Sequence, residues 1–111
     1  MGYQLYITRK KLHTDEDGPE IPLDEWLAYV ASDSDLRLAP EILKHAVRVN
    51  VPSEYPDPWL DWSEGNIYAK NPDRPIVEKM LKIAAALHAK VTGANGETLR
   101  SADPEDYYFE D

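Results

Sequence analysis

The chain begins with alternation. Tyr3, Leu5 and Ile7 fall on one side of an extended segment, and Gln4, Tyr6 and Thr8 fall on the other. Residues 3–8 therefore read as a strand with one buried face. A polar run over 13–20, carrying Asp15-Glu16-Asp17-Gly18-Pro19, reads as a loop. The period then changes. Leu23, Trp26, Leu27 and Val30 recur at i, i+3, i+4 and i+7 and predict a helix starting at Pro22. Asp24 and Glu25 suit its positive first turn, and Ile21 and Trp26 take the positions of a hydrophobic staple. Asp33-Ser34-Asp35 closes the helix, and 36–44 shows no clear period. Val47, Val49 and Val51 alternate again and predict a strand over 46–51.

Pro52, Pro56 and Pro58 stiffen the segment that follows. It leads into a hairpin, 59–62 and 67–70, turned by Ser63-Glu64-Gly65-Asn66. Asn71-Pro72-Asp73 offers capping chemistry for a long helix over 73–88. Its buried stripe is Ile76, Met80, Ile83, Ala84 and Leu87, widened by Val77 and Leu81. Asn95-Gly96, between 91–93 and 98–99, signals a tight hairpin. This order predicts an α+β fold with two layers: an antiparallel or mixed sheet of about five to six strands, with two helices on one face. The expected core includes Leu5, Ile7, Trp26, Leu27, Val30, Val49, Ile67, Met80, Ile83, Ala84 and Leu87.

With 111 residues the chain has room for one domain, expected over 1–100. Residues 101–111 carry five carboxylates and no basic residue, and read as an acidic C-terminal tail. Charge narrows the choice of partners. The 21 acidic and 12 basic residues give a formal charge of −9, which disfavours nucleic acid and anionic membranes and suits a basic protein. No cysteine is present, and no apolar run reaches the roughly 20 residues of a membrane span. The first basic cluster follows the first apolar residues, the reverse of a secretion signal, so a cytoplasmic location is expected.

Catalytic chemistry is thinly represented. His13, His45 and His88 lack metal-ligand spacing, Asp15-Glu16-Asp17 lacks the closing Glu of a calcium loop, and no Gly-rich phosphate loop occurs. No cofactor and no metal are expected. Asp57, Asp61 and Glu64 beside Trp59 and Trp62 form the one carboxylate–aromatic grouping that a small hydrolase would use. Trp59 and Trp62 lie three apart in a strand and so point to opposite faces. The segment 13–35 holds eight carboxylates and no Lys or Arg, a charge distribution that steers association with a basic partner.

Several stretches together carry a resemblance. They are Tyr3-Gln4-Leu5-Tyr6-Ile7-Thr8-Arg9, Ile21-Pro22-Leu23-Asp24-Glu25-Trp26-Leu27, Tyr55-Pro56-Asp57-Pro58-Trp59-Leu60-Asp61-Trp62, 65–73 and 91–97. Through them the chain resembles, over nearly its full length, a family of small bacterial cytoplasmic proteins that is similar to the immunity proteins of polymorphic toxins. It departs at Pro22, where a Ser cap is expected, and at 93–96, where a more acidic turn is expected. The resemblance brings no catalytic residues. It implies a non-enzymatic protein that binds a cognate toxin, one with a basic active-site surface, and occludes that site. The expected partner-facing residues are Asp15, Glu16, Asp17, Asp57, Trp59, Asp61, Trp62 and Glu64. A small hydrolase and a regulatory or scaffold interaction domain are the alternatives.

Overall fold

Leu5 and Ile7 lie fully buried on β1 (Gln4–Thr8), an interior strand of an antiparallel sheet, in a computed structural model that describes residues 4–109. Tyr3 and the last two residues of the expected tail lie outside the described residues. The remaining elements are α1 (Leu23–Ser32), β2 (Leu36–Leu38), β3 (Val47–Val49), β4 (Trp59–Ser63), β5 (Asn66–Lys70), α2 (Arg74–Ala86), β6 (Lys90–Gly93), β7 (Thr98–Leu99) and β8 (Tyr107–Tyr108). The strand order is β2-β3-β4-β5-β1-β6-β7-β8, and every neighbouring pair is antiparallel.

The sheet thus has eight strands rather than five or six. The additions are β2, in the stretch without a clear period, and β8, within the expected tail. Both are too short for alternation to register, and their pairing partners define them. Tyr107 packs against the core, and the Arg100 guanidinium lies 4.1 Å from the Tyr108 ring centroid.

The register sorts side chains cleanly. Leu36, Val47, Val49, Leu60, Ile67, Ala69, Leu5, Ile7, Val91 and Leu99 share one face and one core with Trp26 and Val30 of α1 and with Ile76, Val77, Met80, Ile83 and Ala84 of α2. Ile21 and Trp26, the staple pair, are both fully buried. Leu27 departs from expectation: it is 36% exposed. α1 packs beside the terminal strand β2, so the flank of the helix that carries Leu27 reaches past the sheet.

Two polar junctions lock the helices. Arg9, just past β1, donates from Nε (3.0 Å) and Nη2 (2.7 Å) to the carbonyl of Leu87 and ion-pairs with Glu25 of α1. It satisfies an orphan carbonyl at the C-cap of α2 while reaching the first turn of α1. At the other end of α1, Asp33 is the C-cap, a position where a carboxylate opposes the helix dipole. Lys79 of α2 compensates, donating to both Asp33 oxygens (2.9 and 2.8 Å) and to Asp35 (3.1 Å), while Tyr29 donates to Asp33 (2.8 Å). Burial alone would raise the Asp33 pKa, and these donors outweigh it and lower it. Burial alone would lower that of Lys79, and the carboxylates raise it instead.

Asp73, the N-cap of α2, does not cap with its side chain. Its carboxylate accepts instead from Ser53 Oγ (2.9 Å) and the Glu54 amide (2.8 Å), tethering the proline-rich segment to the helix start.

Turn chemistry differs between the two hairpins. Glu64 (φ 53°) and Gly65 (φ 82°) both have positive φ, the signature of a two-residue type I′ turn. The Asn95-Gly96 hairpin is wider than its sequence suggests. Gly96 donates to Gly93 (3.1 Å), Gly93 donates to Glu97 (2.8 Å), and only Gly96 has positive φ (89°). This is a three-residue loop closed by a glycine bulge.

Two stability predictions follow from this packing. Ile83→Ala should cost about 2–5 kcal/mol and Leu27→Ala about 1 kcal/mol or less, read from urea unfolding. Lys79→Met should cost about 2 kcal/mol at neutral pH. The Asp33 contribution is present above its unfolded pKa of 3.8 and is lost as pH falls through the lower folded value. The Lys79 contribution is present below 10.5 and is lost as pH rises through its higher folded value. The difference between wild type and variant should therefore be widest between those limits and shrink at both extremes.

Candidate protein-interaction face

The strand alternation that fills the core sends a second set of side chains to the opposite face. Gln4, Tyr6 and Thr8 of β1, Asn66, Tyr68 and Lys70 of β5, and Trp59, Asp61 and Ser63 of β4 share it by register. Both helices contribute to the core on the other side. Aromatic rings run across this face. Tyr6 and Tyr68 lie 6.4 Å apart, and Trp59 meets Tyr68 edge-on at 6.4 Å. Tyr68 donates to Asp61 Oδ2 (3.1 Å), and burial together with the Asp61 charge raises the Tyr68 pKa. Asp61 is 9% exposed, and its Oδ1 has no hydrogen-bond partner.

The loop after β1 folds back onto this face. The His13 ring stacks on Tyr6 with centroids 3.9 Å apart and planes 9° from parallel. Thr8 Oγ1 donates to Asn66 Oδ1 (2.7 Å), which leaves the Asn66 amide to donate to the His13 carbonyl (2.8 Å). Lys10, 3% exposed, donates through Nζ to the Glu64 carbonyl in the β4–β5 turn (3.0 Å). Farther along the loop, Glu20 crosses Gly65 so closely that a Cβ there would lie 2.5 Å from the Glu20 side chain, so Gly65 answers both its positive φ and this approach. A groove of about 440 Å³ runs between loop and sheet, lined by Gln4, Tyr6, His13, Asn66, Tyr68 and Lys70 among others.

The residues expected at a partner surface are divided by this geometry. Trp59 lies half-buried on the face opposite the helices, and Asp61 shares that face but is buried beneath Tyr68 instead of projecting from it. Glu64 is exposed in the turn beside the groove. Glu16 and Asp17 are exposed in the loop, whereas Asp15 is part-buried and accepts the Leu12 amide (3.0 Å), organising the loop instead of projecting from it. Asp57 is exposed and paired with Arg48, which donates to it from Nε at 2.8 Å and also binds Glu41. Trp62 is elsewhere. Its register partner is Ile67, it packs against the core, and its indole N–H donates to the Ile21 carbonyl (2.8 Å). It fastens the approach to α1 onto the sheet and contributes nothing to the open face.

Tyr6, Tyr68, His13 and Asn66 were not singled out from sequence. The polar side of the first strand was the available signal for Tyr6, and the β5 alternation was the same signal for Tyr68. Nothing in the sequence marks the His13 stack. Among the described residues no group of three or more His, Cys, Asp or Glu gathers to hold a metal, and no helix is long and apolar enough to cross a membrane. Comparison with protein-family models, with curated proteins and with solved structures finds no match.

Burial lowers the His13 pKa below 6.5, against the attraction of Glu97 and Asp15. The unfolded chain therefore binds this proton first as pH falls, so the His13 contribution to stability declines from about pH 6.5 down to the folded pKa. Proton NMR should show the His13 imidazole titrating below 6.5, and His13→Asn should remove that part of the acid slope.

Proposed function

We infer that this chain is a non-enzymatic binding protein whose open, aromatic-rich sheet face docks a basic protein. The more specific reading is an immunity protein that neutralises a cognate bacterial toxin in the cytoplasm by occluding its active site. The observation that carries it is the sheet face carrying Trp59, Tyr68 and Tyr6, with the Glu64 carboxylate in the turn beside it and the exposed carboxylates of Glu16 and Asp17 in the loop that follows β1. Aromatic side chains held on strands lose little freedom on binding and serve as anchors, while exposed carboxylates accelerate encounter with a basic surface. The hydrolase alternative draws less support. Asp57 is engaged by Arg48 and Asp61 by Tyr68, which leaves Glu64 as the one of the three without a side-chain partner among the described residues.

The test is surface-binding kinetics, at two salt concentrations, against the product of the gene adjacent to this chain's. Asp17→Lys with Glu16→Lys should slow association and weaken its salt dependence. Trp59→Ala should speed dissociation at a cost of about 2 kcal/mol. Trp62→Phe, which leaves the open face intact, should bind as wild type does. Wild-type kinetics for every variant would move the interface off this face.

A further inference from the structure

The geometry points to a second docking site at the β2 edge, where an extended segment of another protein, apolar at alternate positions and acidic between them, adds to the sheet as a ninth strand. Strand β2 ends the sheet. The Asn50 amide donates to the Asp35 carbonyl and the Ala39 amide to the Ala46 carbonyl, each at 2.8 Å. By antiparallel alternation, Arg37 then spends its backbone groups on Arg48, and Leu36 and Leu38 turn theirs outward. The Leu36 amide is taken by Asp33 (3.0 Å). The carbonyl of Leu36 and both backbone groups of Leu38 have no partner among the described residues.

The two faces of this edge differ in chemistry. On the core side, a groove of about 400 Å³ between α1 and β2 is lined by Leu27, Val30, Ala31, Leu36 and Leu38, with Ser34 and Arg37 at its border; Leu27 is 36% and Leu38 52% exposed. Asp33 also borders the groove, but Lys79 and Tyr29 hold its carboxylate. On the opposite face Arg37 is exposed and forms no hydrogen bond or ion pair among the described residues, beyond a longer-range attraction to Glu41. Its cross-strand neighbour Arg48 is already held by Asp57 and Glu41. Arg37 is thus an edge cation without a direct ion-pair partner among the described residues, in a chain of charge −9. An added strand takes its affinity from main-chain bonds and its specificity from alternate side chains. Here the groove selects apolar residues and Arg37 selects a carboxylate between them. A second copy pairing through β2, centred on Arg37, would set Arg37 against Arg37, and like charges directly opposite disfavour pairing.

The probe is an end-blocked peptide, Leu-Glu-Leu-Glu-Leu-Glu-Leu, titrated into the full chain and followed by amide NMR. Slowed hydrogen exchange is expected at the Leu38 amide, with chemical-shift changes at Leu38, Leu36 and Ala31. The matching Leu–Lys peptide should bind roughly fivefold more weakly, despite the acidity of the chain. N-methylation of the central peptide amides should abolish the response. Leu38→Glu should lose binding, and Arg37→Glu should invert the preference between the two peptides. Four outcomes would each overturn the proposal: no response at millimolar peptide, equal response to both peptides, shifts confined to the Tyr6–Tyr68 face, or concentration-dependent protection of Leu38 without peptide.

Discussion

Both helices contribute to the core on one side of the sheet, and that asymmetry governs the rest of the molecule. Leu5 and Ile7 can be fully buried only because every strand around them presents its apolar residues to the same side. A one-residue slip of β1 would exchange them for Gln4, Tyr6 and Thr8 and place a polar row in the core. Neither α1 nor α2 covers the opposite face, and some of its buried polar groups are paired by their own side chains. The chain from Thr8 through Asn66 to the His13 carbonyl does this, and it holds the acidic loop over the sheet at the same time. Cohesion of the sheet and placement of the loop after β1 thus draw on the same bonds.

Charge is used in two different ways. Where helices meet, cations are buried against specific acceptors: Arg9 on the Leu87 carbonyl and Glu25, Lys79 on Asp33 and Asp35. The Lys79–Asp33 pair fixes geometry, because removing either partner strands the other in a poorly solvated site. In the loop after β1 and in the β4–β5 turn, Glu16, Asp17 and Glu64 remain exposed and contribute a field rather than a contact. The basic residues absorbed by the junctions are unavailable to offset that field.

The period of two and the period of 3.6 made most of this architecture legible. Leu5, Ile7, Val47 and Val49 lie on the expected side of their strands, and Trp26, Met80 and Ile83 on that of their helices. The same arithmetic separates Trp59 from Trp62. What it could not supply was context. β2 and β8 have three and two residues, too few for a period, and exist because a neighbouring strand needs a partner. Leu27 fits the helical stripe, but α1 lies where the sheet ends. The direction of the Trp62 indole, the engagement of Asp57 by Arg48 and the stack of His13 on Tyr6 join residues far apart in sequence or in different elements, and no local pattern encodes them.

The placement of β1 has a consequence for the order in which the fold can assemble. Leu5 pairs with Ala69 on one side and with Gly93 on the other. β1 is thus made before either of its neighbours and waits for both until residue 93 has been added. During that interval an aromatic and β-branched segment with two open edges has no native partner. Loop closure over such separations makes folding slow relative to a helical protein of the same length. An unpaired β1 is accordingly an open sheet edge during that interval, the kind of surface that favours aggregation.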